Sequence, residues 1–231
     1  LVSTLVGGKR RGINRVEWPM RKAPPRTAPG AEIVPSIFSF YGPRVAEGTY
    51  TVKMIKGQQV YTSQVTLVPD PRSRHTAADR ELQRRTAGEL YRLVEGLAFL
   101  VGSIESARDQ ARARAAELPE KDALRRRLTA FGEAMEKQRV ALVSTSRGEG
   151  ISGEEKLREE LGMLYGSVNG YEGRPTQSQT SRMAVLAQDL EAASARFTAA
   201  FDKEAAALNA GLAKAGKPPL ARVSEEEWRK K

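Results

Sequence analysis

The chain reads as an α+β multidomain protein. An N-terminal β-sandwich of immunoglobulin or fibronectin type, short of its full strand count, precedes a long antiparallel α-helical bundle. Two observations predict this. Apolar and polar residues alternate at residues 13–18 and 48–52, the period of strands. After Asp70-Pro71 the apolar spacing changes to three and four, the period of helices. The switch divides the chain into a β module at residues 1–70 and a helical bundle at residues 71–231.

Residues 1–5 and 13–18 read as two strands joined by Gly7-Gly8-Lys9-Arg10-Arg11-Gly12, a glycine-bounded turn with a basic tip. Pro24, Pro25 and Pro29 forbid regular pairing in the loop that follows, and Pro35 and Pro43 keep the next stretch irregular or at a sheet edge. Residues 49–56 and 59–67 give the clearest hairpin, with Gly57 at its turn and Tyr50, Val52 and Met54 alternating on one face. About four or five strands are visible, against about seven in an immunoglobulin-type sandwich. The sheet therefore either begins upstream of Leu1 or is completed by something else.

Pro69-Asp70-Pro71 closes the β module, and Thr76 with Asp79 makes a capping-box start to a helix over residues 76–117. Leu90, Leu93, Leu97, Leu100, Ile104, Ala107 and Ala111 form its heptad seam. Pro119 suits the first position of a second helix, residues 119–147, with Leu124, Leu128, Phe131, Met135 and Leu142 on its seam. Gly148, Gly150 and Gly153 break it, and Ser152 caps a third helix at residues 152–168. The last seam, from Met183 through Phe197 and Phe201 to Leu212, spans residues 176–215 and stops at Gly216-Lys217-Pro218-Pro219. At ~1.5 Å per residue the first and last helices run roughly 60 Å, the second roughly 43 Å and the third roughly 25 Å. Only the middle two together match a long leg, which favours three antiparallel legs over an even four-helix bundle.

With 231 residues and 40% hydrophobic content the chain can bury a core in one large or two small domains. It has no Cys, so no disulfide framework or thiolate chemistry is available. A single His, His75, argues against a His-ligated metal site or a His-based triad and reads as a solvated linker residue. No cofactor and no small-molecule substrate is suggested. The formal charge of +10 suits an acidic partner: an acidic protein, an anionic membrane surface or nucleic acid. No apolar run approaches the ~20 residues of a membrane span. Starting at Leu1 without a signal peptide, the chain reads as a processed product or part of a longer one.

Gly148-Glu149-Gly150-Ile151-Ser152-Gly153 matches the dinucleotide pattern, with Glu172 downstream, but no strand precedes it and no βαβ unit surrounds it. An inter-helix loop is the better reading. The carboxylate pairs Glu154-Glu155 and Glu159-Glu160 fall in a first helical turn, where acids complement the dipole, rather than marking a hydrolase pair. Ser224 with Glu225, Glu226 and Glu227 reads as the capped start of a short terminal helix. Arg125, Arg126 and Arg127 lack interleaved aromatics, so a solvated helix face is preferred to a nucleic-acid site. The turn tip Lys9, Arg10 and Arg11, with Arg15 and Arg21, is the better interaction candidate. Trp18, Phe38, Phe40, Tyr41 and Tyr50 read as sandwich core in preference to a ligand patch.

Gly12-Ile13-Asn14-Arg15-Val16-Glu17-Trp18 with Arg21, Gly48-Thr49-Tyr50-Thr51-Val52, and Leu67-Val68-Pro69-Asp70-Pro71-Arg72 resemble the region after the β-propeller in bacterial exported sortilin-like, BNR-repeat proteins, often labelled glycosyl hydrolases. Leu164-Tyr165-Gly166-Ser167-Val168-Asn169-Gly170 with Pro175-Thr176, and Leu208-Asn209-Ala210-Gly211-Leu212 with Pro218-Pro219-Leu220, look like the same family's C-terminal end. The resemblance marks Asn14, Trp18, Gly48 and Tyr50 as structural motif residues. It departs at Pro19, where the family commonly has Asp, and the propeller that would carry a hydrolase site is absent from this sequence. It implies an exported, periplasmic or extracellular accessory module.

The sequence thus leads to the expectation of a non-catalytic interaction or scaffolding protein that stabilises a larger assembly, with a protein partner and no catalytic, cofactor or metal residues. Two alternatives stand beside it. One is a C-terminal accessory fragment of an exported propeller hydrolase, and the other a basic module for an anionic membrane or, less readily, nucleic acid.

Overall fold

The computed structural model describes residues 1–31, 41–146 and 154–230. Among these residues the fold is helical apart from one antiparallel hairpin of β1 (Gly48–Lys56) and β2 (Gln59–Leu67). The helices are α1 (Ala77–Ala116), α2 (Ala123–Leu142), α3 (Leu157–Asn169), α4 (Gln177–Lys214) and the short α5 (Glu225–Lys230).

The immunoglobulin-like β-sandwich is therefore overturned: the only sheet among the described residues has two strands. Residues 1–5 and 13–18 do not form the expected hairpin and are mostly exposed. Their alternation is real, but a strand needs a partner ladder and a layer to cover its apolar face. Instead, Asn14 donates from Nδ2 to the carbonyls of Arg10 (2.9 Å) and Gly12 (3.1 Å), closing a local turn. Among the described residues one isolated bridge, Arg21 with Arg44, supplements the hairpin. Pro35, Phe38, Phe40 and the Gly148 to Gly153 motif, with the Ser152 cap, lie outside the described residues.

The helices form three antiparallel legs. α2 packs on the C-terminal half of α1, where Arg108 meets Glu136, and α3 continues back to the N-terminal half, where Gln83 donates to the Val168 carbonyl at 2.8 Å. α4 lies against α1, α2 and α3, with its Phe201 ring 6.0 Å from Phe131. Leu90, Leu97, Ile104, Leu128, Met135, Leu161, Leu186, Leu208 and Leu212 are buried at the centre. This apolar seam drives association of the legs, at ~25 cal/mol per Å2 of apolar area removed from water.

Local signals fix the ends. Thr76 and Asp79 form a reciprocal capping box on α1, and Thr176 and Gln179 form another on α4. Pro119 does not open α2. Its carbonyl accepts from Asp122 N–H in a turn, and the Asp122 carboxylate caps the helix by accepting from Leu124 N–H at 2.7 Å. A side-chain oxygen satisfies an orphan donor there, which proline at the first position cannot do. Ser224 caps α5, its Oγ accepting from Glu227 N–H at 3.2 Å.

Candidate interaction surface

The hairpin follows from its sequence. Gly57 takes φ 59° at the first central position of a two-residue turn, which the following Gln58 completes. The register pairs Tyr50 with Val65, Val52 with Ser63 and Met54 with Tyr61, so one face carries Tyr50, Val52, Met54, Tyr61 and Val65. The opposite face carries Thr49, Thr51, Lys53, Thr62, Gln64 and Thr66, with Ile55 opposite Val60 near the tip.

An amphipathic hairpin of this kind normally buries its apolar face, but here Val52 is 49% exposed, Met54 55%, Tyr61 47% and Val65 41%. Trp18 packs at its base, with its ring 5.0 Å from that of Tyr50 in an edge arrangement. Trp18 Nε1 is buried without a hydrogen-bond partner. The outer edges of both strands are unpaired among the described residues.

The base of the hairpin is fixed to the bundle. Glu47 accepts from Arg80 Nε at 2.5 Å and from Arg84 Nη1 at 2.8 Å, tying the start of β1 to α1. Burial pushes the Glu47 carboxyl up, but its own backbone hydrogen bond and the two guanidiniums outweigh this and hold it below the usual range. Pro19, Met20, Arg44, Val68 and Asn169 line a cavity of about 210 Å3 at this junction.

A second set of contacts holds the preceding segment on α3. Tyr165 and Asn169, one helical turn apart, converge on the Tyr41 carbonyl, Tyr165 donating from its hydroxyl at 2.6 Å and Asn169 from Nδ2 at 2.9 Å. Arg21 Nη1 donates to the Gly42 carbonyl at 3.0 Å and to Asn169 Oδ1 at 3.1 Å. Burial raises the Tyr165 hydroxyl pKa well above its ordinary value, so it remains a donor. Burial and then the neighbouring Arg44 charge lower that of Arg21. Gly42 is required for the crossing, since a Cβ there would lie 2.0 Å from the Lys22 carbonyl oxygen. These groups are structural: each bonds a backbone carbonyl or another member of the set.

The structure does not gather the sequence-predicted interaction residues into one site. Lys9, Arg10, Arg11 and Arg15 are exposed in the irregular N-terminal segment, whereas Arg21 is half-buried in the network on α3. Trp18 and Tyr50 meet on the hairpin, Asn14 closes its local turn, and Gly48 opens β1 at φ 144°. Sequence reasoning missed the polar junction of Glu47, Arg80 and Arg84. A glutamate just before β1 and two arginines one turn apart on α1 carry no joint pattern until the fold brings them together.

The charge is unevenly spread. Residues 1–75 hold 12 of the 38 basic residues and 4 of the 28 acidic ones, so +8 of the net +10 belongs to them. No Asp or Glu occurs from residue 48 to residue 69.

Among the described residues no group of three or more His, Asp and Glu side chains could hold a metal ion, and no helix is long and apolar enough to cross a membrane. No family model, curated protein or solved structure matches the chain.

Proposed function

We propose that this chain is a non-catalytic interaction module whose helical legs hold a protruding hairpin against a protein partner within a larger assembly. The exposed apolar face of a hairpin whose edges are unpaired among the described residues carries the reading. An isolated two-stranded hairpin is marginal in water, and a third strand or a packed layer would supply what it lacks. Its free backbone groups give a specific mode of attachment, addition of a partner strand. The Glu47 junction and the Tyr165 and Asn169 contacts fix the hairpin's base, which lowers the ordering cost of binding.

The same surface supports a second reading, taken from the family resemblance. The chain would be the C-terminal accessory part of an exported, periplasmic or extracellular propeller protein, with the partner surface supplied by the rest of that polypeptide. Native mass spectrometry of material recovered gently from its source tests both. A stoichiometric complex that dissociates on Val52→Asp supports docking, and a single longer chain supports the second reading. A monomer of this chain, unchanged by Val52→Asp, refutes both.

A further inference from the structure

We infer that the hairpin's occupant is an extended, acidic strand of a protein, its acids set beside Lys53 on the polar face and its apolar residues continuing the face of Val52 and Val65. The inference rests on the docking reading above and names the partner's chemistry. Three observations carry it.

The first is backbone geometry. In an antiparallel pair half of each strand's N–H and C=O groups point outward, so each nine-residue strand turns the groups of about four residues to its outer edge, which no described strand pairs. Only an extended polypeptide offers donors and acceptors at the matching spacing. A lipid surface cannot satisfy these groups, and the hairpin's end, Lys56-Gly57-Gln58-Gln59, is polar and unsuited to lead an insertion.

The second is charge at the hairpin. Its 20 residues from Gly48 to Leu67 contain Lys53 and Lys56 and no acid. Lysines on an edge are the usual guard against self-pairing, because like charges on adjacent strands repel. A second copy would bring lysines and the +8 of residues 1–75 together, whereas an acidic strand turns the same charges into attraction.

The third is the division of faces. Tyr50, Val52 and Met54 alternate with Thr49, Thr51 and Lys53 on β1. A pairing strand fits when it alternates likewise, apolar on one side and acidic or hydroxylic on the other.

The test uses the intact chain and two fluorescein-labelled nine-residue peptides, one alternating Val with Glu and one alternating Val with Lys. Binding is read by anisotropy at low and high salt, alongside co-sedimentation with phosphatidylglycerol vesicles. The acidic peptide is expected to bind on the order of tenfold more tightly than the basic one, with the preference shrinking at high salt. Lys53→Glu with Lys56→Glu is expected to reverse the preference. Should that double variant not fold, Lys53→Gln is expected to reduce it by roughly threefold. Equal binding of both peptides overturns the acidic partner and leaves strand docking intact. Binding of neither, whether or not vesicles bind, overturns both.

Discussion

Glu159→Gln tests how the segment leading to the hairpin is anchored. Glu159 and Arg158 are neighbours at the start of α3, with side chains 4% and 7% exposed and a 2.6 Å contact. Glu159 Oε2 also accepts from Ser144 N–H at 3.2 Å, while Arg158 Nε donates to the Ala28 carbonyl at 2.6 Å. One buried ion pair thus joins the N-terminal segment, the start of the α2–α3 connection and α3. Glutamine preserves the shape and an acceptor but removes the carboxylate charge that faces the guanidinium. Removing one partner of a buried pair costs about 3–5 kcal/mol, against a total stability of about 5–15 kcal/mol for a domain. Urea unfolding followed by circular dichroism at pH 7 measures it. The double variant Arg158→Met with Glu159→Leu should lose less than Glu159→Gln, because it removes both charges. A single-variant loss below about 1 kcal/mol, or a double variant worse than the single, would refute the reasoning.

Glu136, held at about 2 by hydrogen bonds from Arg139 and Arg108 that outweigh the upward push of burial, makes stability acid-sensitive. Its folded pKa lies below the ordinary 4.5, so its contribution is complete above that pH and is lost as pH falls toward 2. The carboxylate is 29% exposed, so the loss is about 1–2 kcal/mol after screening, and urea midpoints should fall less with acid in Glu136→Gln. Thr76→Ala and Thr176→Ala each remove a reciprocal cap and should cost about 1 kcal/mol by thermal unfolding. In Gly102→Ala the new Cβ would lie 2.9 Å from Trp228 Nε1, so the indole must shift outward from α1. Its emission should shift to the red in a Trp18→Phe background, with stability changed by less than about 1 kcal/mol because alanine favours the helix.

The hairpin and the helical seams were legible because each rests on local periodicity. Tyr50, Val52 and Met54 alternate around a glycine turn, and Leu90, Leu97 and Ile104 recur on one buried face. The same period misled at residues 1–18, where alternation was read without a partner to pair with, and the sandwich built on it does not exist among the described residues. Helix caps are legible at Thr76 with Asp79, whereas Pro119 misleads: proline suits a first helical position, but α2 is capped by Asp122, whose carboxylate supplies the hydrogen bond. Tyr165, Asn169 and Arg21 form a junction between positions 148 residues apart in the case of Arg21 and Asn169, which no spacing rule reveals. The candidate site was legible only in part: the hairpin's alternation is visible in sequence, whereas its uncovered apolar face is a property of packing, and the predicted Lys9, Arg10, Arg11, Arg15 and Arg21 lie elsewhere.

Hydrogen–deuterium exchange of the hairpin amides, in the free chain and in the assembly isolated from its source, tests the central claim most directly. The account predicts that outward-facing amides of at least one strand exchange rapidly in the free chain. They should slow by at least about tenfold in the assembly, while buried amides of α1 are unchanged. Hairpin amides that exchange equally fast in both, with new protection confined to the helices, would contradict it.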